Sequence, residues 1–294
     1  MTDFGHVMTA MVTPFKNDLS VDYQKAEELA VYLANNGSDS IVVHGTTGES
    51  PTLTHDEEYE LYKVVKKALS GTKCKLIAGT GSNSTATTIN STKKAEAIGC
   101  DGAMLVVPYY NKPSQEGLYQ HFKAVADNTG LPMIVYNIPG RTGINMTPEA
   151  IARVAGIKNY IGVKDAAGSL DQTSSTRALC PKDFIIWSGD DSLTLPMMSV
   201  GAVGVISVAS HIVGKEIAEM VSAYHAGNTQ KAKEIHLKLL PIFKVLFITA
   251  NPTPVKAALE MVGRPVGIPR LPLIEATAGE KEQVRKVLKD LGLV

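Results

Sequence analysis

The chain has 294 residues, 44% of them hydrophobic and 20% charged, and its 29 basic residues cancel its 29 acidic ones. That balance excludes the strongly basic surface of a nucleic-acid or anionic-membrane binder, while the apolar share is ample for a large core. No run reaches the length of a membrane span, the N-terminus shows neither the basic segment nor the apolar stretch of a signal peptide, and Cys74, Cys100 and Cys180 form no CxxC, so the composition points to a cytosolic globular protein.

Short apolar runs recur along the chain, most followed by a polar or Gly-rich break and then a helical pattern. The first is 7–12 (VMTAMV), closed by Thr13-Pro14. The second, 40–44 (SIVVH), opens into Gly45-Thr46-Thr47-Gly48-Glu49-Ser50, and the third, 76–78 (LIA), ends in Gly79-Thr80-Gly81. Between these two, Thr54 and Glu57 make a capping-box pattern ahead of an amphipathic stretch reaching Leu69. Next come 103–107 (AMLVV), ending in Pro108-Tyr109-Tyr110-Asn111, and 132–135 (PMIV), ending in Tyr136-Asn137-Ile138-Pro139-Gly140-Arg141. Ser114, Thr147 before Pro148, and Ser169 are helix caps by position. The sixth run, 160–163 (YIGV), leads into Lys164, the seventh is 184–187 (FIIW) before Ser188-Gly189-Asp190-Asp191, and the eighth is 204–208 (GVISV).

Continuous rather than alternating apolar runs suit parallel strands covered on both faces. Eight of them, alternating with helices, predict an α/β fold of the (β/α)8 TIM-barrel type; the rival, an open doubly wound sheet, lacks a GxGxxG after the first strand. A helix over 215–225 completes the barrel. Further helices are predicted over 229–249, 253–262 and 279–291, which divides the chain into a barrel, 1–225, and a C-terminal helical extension, 226–294.

A lysine closing a buried strand is either a snorkelling surface charge or a desolvated amine, and the neutral form of a desolvated amine attacks ketones. In a barrel, functional groups gather at the C-terminal ends of the strands. Thr46, Thr47, Tyr110, Tyr136, Arg141, Lys164, Gly189 and Asp190 all fall there. The Gly-Thr-Thr-Gly-Glu loop offers hydroxyls and backbone donors to a small carboxylate, although Gly and Thr also simply make turns. Tyr136 is either a packed strand-end ring or a proton relay, and Arg141 either a solvated charge or a carboxylate fork. Asp190-Asp191 is joined by no further ligands in a recognisable spacing, and the seven histidines are scattered without an HExxH, so no metal is expected.

Those residues together resemble the dihydrodipicolinate synthase family, within the pyruvate-dependent class I aldolases that include N-acetylneuraminate lyase. The similarity spans nearly the whole chain and is carried by GTTGES (45–50), PYYNKP (108–113), QEGLYQHF (115–122), YNIPGRTG (136–143), GVKDA (162–166), SGDD (188–191), GVISV (204–208) and NPTPVK (251–256). The resemblance implies that Lys164 forms a Schiff base with pyruvate, with Tyr136, Thr46 and a neighbouring subunit's Tyr110 as a proton relay. It also implies that Thr47 holds the pyruvate carboxylate, that Arg141 holds the carboxylate of L-aspartate 4-semialdehyde, and that backbone groups of Gly189 and Ile206 line the pocket. No cofactor is implied, because the imine is itself the electron sink. A homotetramer built as a dimer of dimers is implied too. The nearest rival is another aldolase of the same superfamily, which would not need an arginine placed like Arg141; a catalytically silent barrel binding a small molecule is a rival of another class.

The match breaks at the effector site. Ser50, His55, Asn83 and Tyr109 fit the polar set with which family members bind lysine at a dimer interface. However, Pro51, Glu58 and Thr87 stand where inhibited bacterial members often carry alanine, histidine and glutamate. Without a carboxylate at Thr87 the lysine ammonium loses a partner, and weak or absent feedback inhibition is predicted. A dose–response assay reaching half-inhibition at submillimolar L-lysine would refute this.

Overall fold

The computed structural model describes residues 4–294. Eight strands form a closed parallel barrel: β1 (Val7–Ala10), β2 (Ser40–Val43), β3 (Lys75–Gly79), β4 (Gly102–Val106), β5 (Met133–Asn137), β6 (Tyr160–Asp165), β7 (Ile185–Ser188) and β8 (Gly204–Ser207), with β8 pairing back onto β1. Each corresponds to one of the eight apolar runs. Closure explains their composition. A strand in such a barrel is buried on both faces, one against the lumen and one against the helices, so polar residues survive mainly at its ends.

The two faces form separate cores. Phe4, Met8, Ala10, Val42, Ile77, Met104, Ile134, Tyr136, Trp187 and Ile206 pack together inside the barrel. Their strand neighbours, among them Ile41, Leu76, Leu105, Val135, Val163 and Ile186, pack outward against the helices. Period-two alternation fixes this division, and the strand register then aligns inward residues across neighbours. Val106 pairs with Tyr136, Tyr136 with Lys164, and Lys164 with Trp187. One row of the barrel wall therefore carries a phenol, an amine and an indole side by side. Gly162 makes room for that row: a Cβ there would lie 2.6 Å from a Trp187 ring carbon and 2.3 Å from the Ile185 carbonyl.

The helices begin where hydroxyl and carboxylate caps say they should. Thr54, Ser114, Thr147 and Ser169 each accept a backbone N–H at the start of a helix, and Thr54 and Glu57 complete a capping box. Two departures from the sequence-based expectation have physical causes. The helix after β8 starts at Ser210 rather than 215, because residues 210–214 are buried against the barrel and kinked at Val213, which hides the amphipathic period. The next helix stops at Val245 rather than 249, and the chain then turns to bring the buried Asn251 back to the barrel mouth.

From there the C-terminal helices, Thr253–Met261 and Ala278–Asp290, do more than cover the barrel. Lys256 Nζ lies 2.7 Å from Glu49 Oε1 with both side chains almost wholly buried, and the Arg270 backbone N–H donates to Glu49 Oε2 at 2.8 Å. The Arg270 guanidinium forks onto Glu57 at 2.6 and 2.9 Å and also donates to the Thr52 and Leu19 carbonyls. Both cations lie over the Phe15 ring. Breaking a buried ion pair from one side strands a charge, at a cost of about 3–5 kcal/mol. Lys256→Met is therefore expected to lower the unfolding free energy by about that amount, read as a lower urea midpoint. A midpoint equal to the parent's would show that Arg270 alone holds Glu49.

Candidate active site

The barrel row places Lys164 inside the wall, 5% exposed, with its Nζ 4.2 Å from the centre of the Tyr136 ring. A snorkelling lysine would reach solvent; this one does not. Burial pulls its pKa down to about 8, helped by the nearby Arg141 cation and opposed by Asp191. At neutral pH a far larger share of this amine is neutral than of an ordinary lysine. Tyr136 moves the other way. Burial pushes its phenol up to about 12, although Arg141 and a hydrogen bond donated by the Thr46 hydroxyl both favour the phenolate. A base that is partly free and an acid that keeps its proton are thus set side by side by one environment.

The Thr46–Thr47 loop follows β2. Thr47 is buried, and its hydroxyl oxygen accepts a hydrogen bond from Asn251 Nδ2 at 2.9 Å, which leaves the hydroxyl proton free to donate. Gly79, at the end of β3, lets this loop sit close: a Cβ there would lie 2.4 Å from the His44 carbonyl oxygen. Arg141 is exposed in the short helix Pro139–Thr142, whose base is fastened by the buried Asn137 through Asn145 Oδ1 and the Met146 N–H. Gly189 donates its N–H to the Asp165 carbonyl at 2.7 Å, and Ile206 points into the lumen on β8.

Tyr110 is different. It is 88% exposed with φ of +73°, on a loop outside the wall, so its own chain does not bring it to Lys164. Of the effector set, Ser50 lines a cavity of about 30 Å³ together with His44, Thr46, Gly79, Gly81, Met104, Val106 and Tyr136. His55 Nδ1 lies 2.9 Å from Glu58 Oε2 and its ring stacks on Tyr59, while the Asn83 carbonyl accepts from Asn111 and Tyr109 is half-buried.

Four residues were not assigned from sequence. Asp191 is the first. Its buried carboxylate accepts from the Ser207 hydroxyl and from the N–H groups of Val208 and Ala209, bracing β8 beneath the lysine. Asn251 and Lys256 lie within the NPTPVK motif, but nothing local says that they reach Thr47 and Glu49. His44 looked like one scattered histidine among seven.

A family model described as the dihydrodipicolinate synthetase family matches residues 3–291. A relative from Desulforamulus reducens named 4-hydroxy-tetrahydrodipicolinate synthase is 57% identical over 293 residues, covering 99% of each chain. One of the same name from a Cyanothece strain is 55% identical over 295 residues, covering 100% of each. Among solved structures, that of DHDPS from Cyanidioschyzon merolae with lysine bound superposes with a TM-score of 0.97 at 52% identity, covering 99% of each chain.

The lowered pKa of Lys164 has a stability consequence whose sign is fixed. Folding holds the amine at about 8 against an ordinary 10.5, so the folded state resists protonation and is penalised at every pH below 8. The penalty fades as pH rises from 8 to 10.5 and is gone above it. Lys164→Met is expected to unfold at higher urea than the parent at pH 7, with the gap closing by pH 10.5. A gap that widens with pH would contradict the buried-amine geometry.

Proposed function

Because this chain belongs to the dihydrodipicolinate synthetase family, we propose that Lys164 carries pyruvate as a Schiff base and that the other groups of the barrel mouth serve that intermediate. The reaction is the condensation of pyruvate with L-aspartate 4-semialdehyde to give 4-hydroxy-tetrahydrodipicolinate, the first committed step of diaminopimelate and lysine biosynthesis. The chain is a lyase. The observation that carries the mechanistic reading is the buried Lys164 amine set 4.2 Å from the centre of the equally buried Tyr136 ring.

In this reading neutral Lys164 attacks the pyruvate ketone, and Tyr136 gives its proton to the oxygen that leaves as water. The protonated imine withdraws electrons from the methyl group, which loses a proton to become an enamine. The enamine carbon attacks the aldehyde. The amine of the second substrate then displaces Lys164 as the ring closes, which regenerates the lysine. Thr46 and Tyr110 carry protons between Tyr136 and the outside, a service worth about 10²–10⁴ in rate. Thr47, held by Asn251 with its proton free, suits the pyruvate carboxylate. Arg141 suits the second carboxylate, as a planar fork does, and backbone groups of Gly189 and Ile206 line the pocket.

The exposure of Tyr110 supports a site completed across an interface, in a tetramer built as a dimer of dimers. The barrel, 1–225, and the extension, 226–294, then act as one catalytic unit in a reducing cytoplasm. Among the described residues no helix is long and apolar enough to cross a membrane. Ser50, His55, Asn83 and Tyr109 remain the proposed effector set. Weak lysine sensitivity fits a Glu58 whose two oxygens are already engaged by Tyr62 and His55.

The test is borohydride reduction in the presence of pyruvate, followed by peptide mass mapping. The expected result is a reduced pyruvate adduct on Lys164, absent from Lys164→Met. Folded protein that yields no adduct with pyruvate in excess would remove the imine mechanism.

A further inference from the structure

His44 is the last residue before the Gly-Thr-Thr-Gly-Glu loop and is held at φ of +62°, a left-handed conformation that few side chains adopt. Its ring is fixed from one side. Nδ1 faces the Gly79 carbonyl at 2.9 Å and Glu58 Oε1 at 3.5 Å, and both are acceptors, so Nδ1 carries the proton. In the neutral ring Nε2 is then a lone pair. It is buried without a hydrogen-bond partner among the described residues. The cavity of about 30 Å³ that His44 lines is also lined by Thr46, Ser50 and Tyr136. That volume is enough for one water, and those residues supply the polar partners that a buried water requires.

We propose that His44 is a positioning residue for the proton relay: a water in this cavity links its Nε2 to the Thr46–Tyr136 hydroxyl pair, and the imidazole holds the proton removed from the pyruvate methyl group until it is returned. The step balances. After Tyr136 has regained a proton along the outward path, the methyl C–H bond breaks, its electron pair enters the enamine, and the proton passes through the Tyr136 and Thr46 hydroxyls and the water to Nε2. The resulting imidazolium faces Glu58, whose other oxygen binds His55 and whose near oxygen also accepts from Tyr62. The proton returns along the same path to the alkoxide oxygen that forms when the enamine carbon attacks the aldehyde. The chain thus has an internal terminus for its relay, in addition to the outward path through Tyr110. This inference rests on the imine reading of Lys164.

Two variants test it, chosen because Asn and Gly tolerate a positive φ. His44→Asn keeps a polar acceptor without basicity, and His44→Gly removes the ring. Both are expected to fold and to trap pyruvate on Lys164 with borohydride, yet to lose about 10²-fold in kcat. Added imidazole should restore His44→Gly, whereas pyrazole, of the same shape but far less basic, should not. Parent-like kcat in His44→Asn would overturn the proposal, as would equal rescue by pyrazole, which would reduce His44 to a space-filling ring. Failure to trap pyruvate on the parent would instead sink the imine reading.

Discussion

The active end of this barrel depends on a buried carboxylate. Glu49 ends the loop that presents Thr46 and Thr47, and it is gripped by the Lys256 ammonium and the Arg270 backbone. Strand pairing alone sets the position of β2 but not the path of the loop beyond it, where Glu49 itself adopts a positive φ of 57°. A loop with that backbone is held by what surrounds it. The Lys256 pair fixes its far end and Asn251 fixes its middle at Thr47. Burial brings Lys256 down to about 8 even though the attraction of Glu49 opposes that fall. The pair is therefore costly in solvation and specific in geometry, which suits a device that positions a loop more than one that adds stability.

Within the frame so fixed, the chemistry follows from register. Tyr136, Lys164 and Trp187 are aligned because β5, β6 and β7 pair in parallel and their inward residues coincide. The same burial that lowers the pKa of Lys164 raises that of Tyr136. Neither group needs a dedicated partner to be tuned. Arg141 acts on both in the direction of easier proton loss, so its distance from the row is an electrostatic setting.

Much of this was legible in the sequence, for particular reasons. All eight strands were visible because two-sided burial leaves continuous apolar runs, and four helix starts because caps are local chemistry. Lys164 and Tyr136 could be singled out because each breaks or ends such a run. What could not be read were contacts between residues far apart in the chain. Asn251 and Lys256 stand in the NPTPVK motif, yet only the returning path of the chain aims them at the Thr47 and Glu49 side chains. Asp191 looked like half of an acidic pair, whereas its neighbours in space are the backbone N–H groups after β8. The start of the helix at Ser210 was invisible because its first turn is buried all round and so has no polar face to give a period.

The return of the C-terminal segment also sets an order of events during synthesis. A nascent chain that has released all eight strands already holds every residue of the row Tyr136–Lys164–Trp187. It still lacks Asn251, Lys256 and Arg270, which seat the threonine loop. Until those residues leave the ribosome, the Thr46–Thr47 loop lacks the contacts that hold it beside Lys164. The loop therefore takes its final path only when translation is nearly complete.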